Sequence, residues 1–250
     1  MAGAPCLGAE AGRFWPDGAK AAVSLTYDDG LNSQLDNALP ALDRLNLKAT
    51  FFLTRDNVEP RLGDWRKAAG DGHEIGDHTV DHPCQLRSVV PTAFDRREIA
   101  GMERFLDVNF DRGRVPIYAY PCGVLDLGRG GEMDEQLRYI HFLRRRFAAA
   151  RAADGEPNDP RLVSRNRYVL QATAPTYDRD DPRIAIDYVR TAMRRGHWAI
   201  LIFHDVLPRR RDAGDTSERN HQAILDWLMT QPVWCAPMGE VLRRLKVGGV

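Results

Sequence analysis

Two adjacent carboxylates close the first apolar run of the chain, in Ser24-Leu25-Thr26-Tyr27-Asp28-Asp29-Gly30. Side by side they repel, and one is pushed toward its protonated form unless a cation compensates. A metal or a basic side chain is the usual compensation. Further along, His78-Thr79-Val80-Asp81-His82 places two imidazoles four residues apart. On a helical turn that spacing puts both on one face, where they can share a metal. Two His and one Asp leave coordination positions open to water, which marks a catalytic rather than a structural site. One of the two carboxylates then holds the metal, and the other is free to take a proton. His204 follows the most hydrophobic run, Trp198 to Phe203, as a general acid for a leaving amine or alkoxide.

Each group alone has a plainer reading. The Asp pair fits a turn or a helix cap, the two histidines fit an unconnected surface, and His204 fits a rim position bonded to backbone. Their placement together argues for chemistry, because all three segments follow expected strands. Sites in parallel α/β folds form at the C-terminal strand ends.

The elements that must position them alternate along the chain. Val23, Leu25 and Tyr27 alternate with Ser24 and Thr26 in a first strand. Leu35, Ala38, Leu39, Leu42 and Leu45 give a helical apolar face, interrupted by Pro40. Asn32 or Ser33 is placed to cap that helix. Strands are expected over Lys48 to Leu53, His73 to Gly76, Pro116 to Tyr120, Phe147 to Ala152, Trp198 to Phe203 and Val233 to Ala236. Residues 162–172 read as extended. Helices are expected over Trp65 to Ala69, 91–106, 132–146, from Asp181-Pro182 to Gly196, over 221–230, and from Met238 to Lys246. This alternation predicts a single-domain α/β fold, a distorted (β/α) barrel of about seven to eight parallel strands. Residues 1–20 read as an irregular lead-in and residues 21–250 as the domain.

The bulk properties narrow the partners. Lys+Arg and Asp+Glu both number 35, so no global field draws nucleic acid or an anionic membrane. No apolar run reaches the roughly 18 residues of a membrane span. No dinucleotide or phosphate-loop glycine motif follows a strand. The start of the chain lacks a secretion-signal pattern, which gives a cytoplasmic expectation. Cys6, Cys84, Cys122 and Cys235 show no CxxC pairing and read as reduced thiols, with Cys84 and Cys122 as small buried packing residues. Arg209-Arg210-Arg211 reads as a solvated loop. Oligomeric state is not legible.

Jointly, the motifs resemble those of the NodB-type polysaccharide deacetylases, carbohydrate esterase family 4. Thr26-Tyr27-Asp28-Asp29-Gly30 is similar to the first motif, His78-Thr79-Val80-Asp81-His82 to the second, and Leu201-Ile202-Phe203-His204 to the last. Tyr118-Ala119-Tyr120-Pro121-Cys122-Gly123 looks like the third. The resemblance runs from about Trp15 to Leu245. It implies a divalent metal, usually zinc, with cobalt, nickel or iron compatible with the same donors. It also implies Asp28 as general base, Asp29, His78 and His82 as metal ligands, and His204 as general acid. The Cys122 backbone N–H would help hold the oxyanion.

The third motif ordinarily begins with an arginine that pairs with the base, and Ala119 stands in its place. Arg151, at the end of an expected strand, is the candidate replacement, while Arg114 lies five residues upstream of Ala119. The fourth motif is not recognisable. The activity so implied is removal of acetyl groups from an N- or O-acetylated carbohydrate, with a small-molecule or oligosaccharide substrate. The competing expectations are an allantoinase-like hydrolase of a small amide, ureide or imide, and an inactive metal- or carbohydrate-binding protein.

Overall fold

The computed structural model describes residues 14–247 except 112. Residues 1–13 of the expected lead-in lie outside the described residues. Residues 14–20 pack into the fold. Trp15 is buried and its indole N–H donates to the Gly196 carbonyl at 3.0 Å, and Pro16–Gly18 makes one 3-10 turn.

Nine strands are present among the described residues: β1 Ala21–Asp29, β2 Thr50–Leu53, β3 Glu74–Asp77, β4 Ile117–Ala119, β5 Ala149–Arg151, β6 Trp198–Phe203, β7 Val206–Leu207, β8 Thr216–Ser217 and β9 Val233–Cys235. Seven form one parallel sheet in the order β5-β4-β3-β2-β1-β6, with β9 also on β1; β7 and β8 pair separately. The flank of β1 opposite β6 is shared, Ala21 to Val23 pairing with β9 and Thr26 to Asp29 with β2. Between the two ends of the sheet runs the segment 170–173, after a turn at 167–169. Leu170 exchanges backbone bonds with Ala150 and Ala152 of the β5 region, and Thr173 with Ile200 and Ile202 of β6. The segment bridges the gap and covers both edges, which would otherwise be open to pairing. This is the distorted barrel of parallel strands in a single domain that the sequence predicts. Part of 162–172 departs from the extended expectation, because Val163–Asn166 is a short helix.

Side-chain alternation along β1 separates two cores. Val23, Leu25 and Tyr27 pack outward with Phe51, Leu53 and Phe203, under the helices. Ala22 faces inward with Phe52, Ile117, Ala119, Ala149, Ile200 and Ile202. Ser24, Thr26 and Asp28 share that inner face by alternation. Burial of each Val, Leu, Ile or Phe among them stabilises by about 1.5–3 kcal/mol, and of each Ala by less.

The helices follow their caps. Asp181 accepts from the Arg183 N–H at the start of Pro182–Arg195, and Gly196 ends it at φ 73°. Pro40 lies in the first turn of Leu39–Arg44, and the preceding segment Gln34–Ala38 is a widened π-helical turn. Proline offers no N–H to that turn, so the regular ladder cannot run through it. No helix among the described residues is long and apolar enough to cross a membrane.

Candidate metal and acid–base site

The three predicted segments meet at one end of the sheet. Asp28, next to last in β1, lies on the inner face, where alternation aims it into the barrel. Alternation would send Asp29 to the opposite face, but its φ of 79° turns the chain and re-aims the carboxylate. Thr54 Oγ1 and Asn57 Nδ2 donate to the Asp29 carbonyl and fix this turn. Gly30 continues it at φ 72°; a Cβ there would meet Val58 Cγ2 at 2.7 Å, so only glycine fits.

His78 and His82 converge, with ring centroids 4.7 Å apart. The route differs from the helical turn that the spacing predicts. Thr79 and His82 have φ of 71° and 50°, so the segment is a tight non-helical loop. Side chains hold it: Asp77 Oδ1 accepts the Thr79 N–H at 2.8 Å, and Thr79 Oγ1 accepts the His82 N–H at 3.1 Å. Such local bonds compete with helix formation. His78 Nδ1–H donates to the Ala119 carbonyl at 2.9 Å, which leaves Nε2 facing the carboxylates. His78 Nε2 and His82 Nε2 lie 3.6 and 3.5 Å from Asp29 Oδ1.

The donor atoms of Asp29, His78 and His82 lie within 4.8 Å of one another. Asp29 Oδ1 is buried with no hydrogen-bond partner. An orphaned anionic oxygen facing two imidazole nitrogens fits a divalent cation, and the donor set suits zinc. Burial, with smaller contributions from His82 and Arg151, lowers the His78 pKa against the opposing pull of Asp28 and Asp29. The imidazole is thereby held in the neutral form that ligates metals.

Asp28 has a different partner. Arg151 Nη2 lies 2.6 Å from each of its carboxylate oxygens. Arg151 is opposite Ala119 in the β4–β5 register, so the cation arises one strand over from the expected position. Its guanidinium stacks on Phe52, 5.0 Å from the ring centroid. Arg114 instead pairs with Glu103 and Asp107. Burial works to raise the Asp28 pKa, but Arg151, His78 and His204 outweigh it and bring it below the ordinary value.

His204 follows β6 and is half-buried, and its charge is felt at Asp28. Gln34 Nε2 donates to both the Asp28 and the His204 carbonyls, tying the ends of β1 and β6. No hydrogen bond reaches the His204 ring among the described residues. Ser33 makes no helix cap; it donates to Asp205 and accepts the Val206 N–H, which fixes the exit of β6. The polar residues Gln34, Ser33, Asp77 and Thr54 were missed as site supports. In sequence they carry no signal beyond being polar near a strand end.

Pro121–Gly123 turns sharply after β4, with Cys122 exposed at φ 54°. The Cys122 N–H donates to no group among the described residues. The expectation of reduced, buried thiols is overturned for two cysteines. Cys84 and Cys122 are exposed and joined in a disulfide, with Cα atoms 5.6 Å apart. The barrel brings the loops after β3 and β4 together, a contact that a spacing of 38 residues does not reveal. The bond links the neighbour of His82 to the turn that presents the Cys122 N–H. Cys6 lies outside the described residues.

Residues 16–128 match the family model described as polysaccharide deacetylase, as the motifs suggested. A peptidoglycan-N-acetylglucosamine deacetylase of Bacillus cereus is 43% identical over 65 residues, covering 26% of this chain and 24% of the relative. The solved structure of the Bc1960 peptidoglycan N-acetylglucosamine deacetylase, in complex with a benzamide, superposes with a TM-score of 0.59 at 18% identity, over 91% of this chain and 94% of that one. The BA3943 protein of Bacillus anthracis, described as a CE4 family pseudoenzyme, superposes with a TM-score of 0.53 at 16% identity, over 88% and 65%. The chain spans 24% or less of the length of the first curated relatives it matches. At these identities the structural likeness establishes the fold, and the fold is shared by a pseudoenzyme. Activity must therefore be argued from the residues.

Proposed function

We propose, for a chain whose residues 16–128 match the polysaccharide deacetylase family, that it is a metal-dependent hydrolase removing acetyl groups from N- or O-acetylated carbohydrate. One observation carries this reading. The two adjacent carboxylates have different principal partners: Asp28 is paired with Arg151 at 2.6 Å, with His78 Nε2 3.8 Å away, while Asp29 faces both His78 and His82 with an unpartnered oxygen. A pair serving a turn or a cap needs no such division. The same division supports a working site over a degraded one.

Asp29, His78 and His82 would hold the cation, zinc by donor type. A cation there supplies Lewis acidity toward the acetyl carbonyl and lowers the pKa of water to about 7. Asp28, kept ionised by Arg151, accepts the proton of the attacking water. The Cys122 N–H donates to the oxygen of the carbonyl under attack as it gains charge. His204 delivers a proton to the departing amine or alkoxide, and acetate leaves.

The test is acetate release from N-acetylglucosamine oligomers and from acetylated xylan by zinc-loaded protein, with ammonia release from ureides measured in parallel. Acetate release supports the reading. Ammonia release alone would replace it with the ureide-hydrolase reading. Absence of both, in protein holding stoichiometric zinc, would leave a binding protein.

A further inference from the structure

We propose that reduction of the Cys84–Cys122 bond opens a second cation site, made of the two thiolates and His82 Nδ1, and that a thiophilic cation there draws His82 from the site it shares with Asp29 and His78. The His82 ring has a cluster at each nitrogen. Its Nε2 lies 3.5 Å from Asp29 Oδ1, and its Nδ1 lies 3.9 Å from Cys84 Sγ. The ligand atoms of His82, Cys84 and Cys122 all lie within 4.8 Å of one another. A tetrahedral zinc holds sulfur and nitrogen donors about 3.5 Å apart, so the three need only small adjustments once the sulfurs part. Two thiolates and an imidazole suit zinc or cadmium, with a fourth position open to water.

Both walls of the cluster keep their own shape without the bond. The Cys122 turn is closed by the Gly123 N–H on the Tyr120 carbonyl and the Val124 N–H on the Pro121 carbonyl, each at 3.0 Å. Beyond Cys84, Leu86 is buried and its carbonyl accepts the Gly128 N–H at 3.0 Å. Cys84 and Cys122 are themselves exposed, so a reductant reaches them. The reductant is a small dithiol. Its thiolate attacks one sulfur, the S–S bond breaks, and one cysteine is released. Its second thiol closes on the mixed disulfide and releases the other. The dithiol leaves as a cyclic disulfide, and the two cysteines receive the electron pair. Their thiol protons pass to solvent as the cation binds.

A neutral imidazole has one in-plane lone pair, so His82 serves one cation at a time. With Nδ1 on the cation, the ring proton sits on Nε2 and faces Asp29 Oδ1, which is buried and otherwise unpartnered. A carboxylate behind a ligating imidazole orients it. Asp29 then steers the ring instead of sharing a cation with it. The sulfur site stands on this geometry alone; its effect on hydrolysis rests on the proposed deacetylation.

The experiment uses the full chain carrying Cys6→Ser and Cys235→Ser, so that only these two sulfurs can report. The protein is reduced with dithiothreitol, freed of reductant without oxygen, and titrated with cadmium beside its disulfide form. The thiolate-to-cadmium charge-transfer band is followed in the ultraviolet. The reduced protein should gain a band that the disulfide form lacks. His82→Ala should weaken the cadmium giving that band at least about tenfold, whereas His78→Ala leaves it. A second equivalent of zinc should lower acetate release about tenfold in the reduced protein and not in the disulfide form. Absence of the band in reduced protein, or equal affinity in His82→Ala, overturns the proposal. So does a reduced chain that loses its circular dichroism, because only the closed barrel sets the thiols beside His82. An unchanged rate in reduced protein holding the second zinc overturns it as well. If neither form releases acetate while the band and its dependence on His82 hold, the deacetylation reading fails and the sulfur site stands.

Discussion

Arg151 Nη2 reaches both carboxylate oxygens of Asp28 at 2.6 Å across 123 residues of chain. Both side chains are almost completely buried. Arg151→Met leaves a buried, unpaired carboxylate, which costs about 3–5 kcal/mol. Because Arg151 helps hold the Asp28 pKa down, its loss should also move the acid limb of kcat/KM to higher pH. Arg151→Lys keeps the charge but loses the planar fork, and should recover stability more than rate. Chemical denaturation with a pH–rate profile checks this; an unshifted acid limb in a folded Arg151→Met protein would remove Arg151 from the account.

His78 Nε2 is aimed by the bond from Nδ1–H to the Ala119 carbonyl. His78→Ala should reduce bound zinc below a tenth of stoichiometry, read by elemental analysis after dialysis. Unchanged zinc in that variant would show that the cation is held elsewhere.

Cys84 and Cys122 close a loop with a separation of 38 residues. On chain-entropy grounds, Cys84→Ser should lose about 3–4 kcal/mol of stability. It should also lower kcat, because the Cys122 turn is freed. Denaturant titration of wild type with and without dithiothreitol gives the check, since equal midpoints would mean the bond contributes nothing.

Glu74 begins β3 at the end of the barrel away from the site. It accepts from Thr50 Oγ1 at 2.8 Å and the Gly239 N–H at 2.9 Å. Burial pushes its carboxyl up to about 7, against those hydrogen bonds and Arg243, with Glu240 adding to the rise. Between about pH 4.5 and 7 the unfolded chain has released this proton and the folded chain keeps it. The Glu74 contribution to stability is therefore full below that window, falls as pH rises and is gone above it, a change on the order of 3 kcal/mol. Glu74→Gln keeps an acceptor oxygen and removes the titration. Its stability should exceed that of wild type above pH 7 and converge with it near pH 4. Parallel stability curves would contradict this.

Much of this was legible in sequence because it depends on local periodicity. β1 and β6 follow apolar runs, and Pro182–Arg195 follows its Asp, Pro and Gly punctuation. The convergence of Asp28, Asp29, His78, His82 and His204 at one end of the sheet was legible because these residue types are rare together at strand ends. What escaped depends on contacts between distant segments. The loop at His78 to His82 takes its left-handed turns from Asp77 and Thr79, against the helical reading of a four-residue spacing. The Cys84–Cys122 bond appears only once the barrel closes.

The division of labour between Asp28 and Asp29 is tested most directly by one comparison. Zinc content and acetate release from N-acetylglucosamine oligomers are measured together on wild type and Asp28→Asn. The account predicts stoichiometric zinc in both and a rate in Asp28→Asn lower by at least about a thousandfold. Acetate release at the wild-type rate by zinc-loaded Asp28→Asn would contradict it.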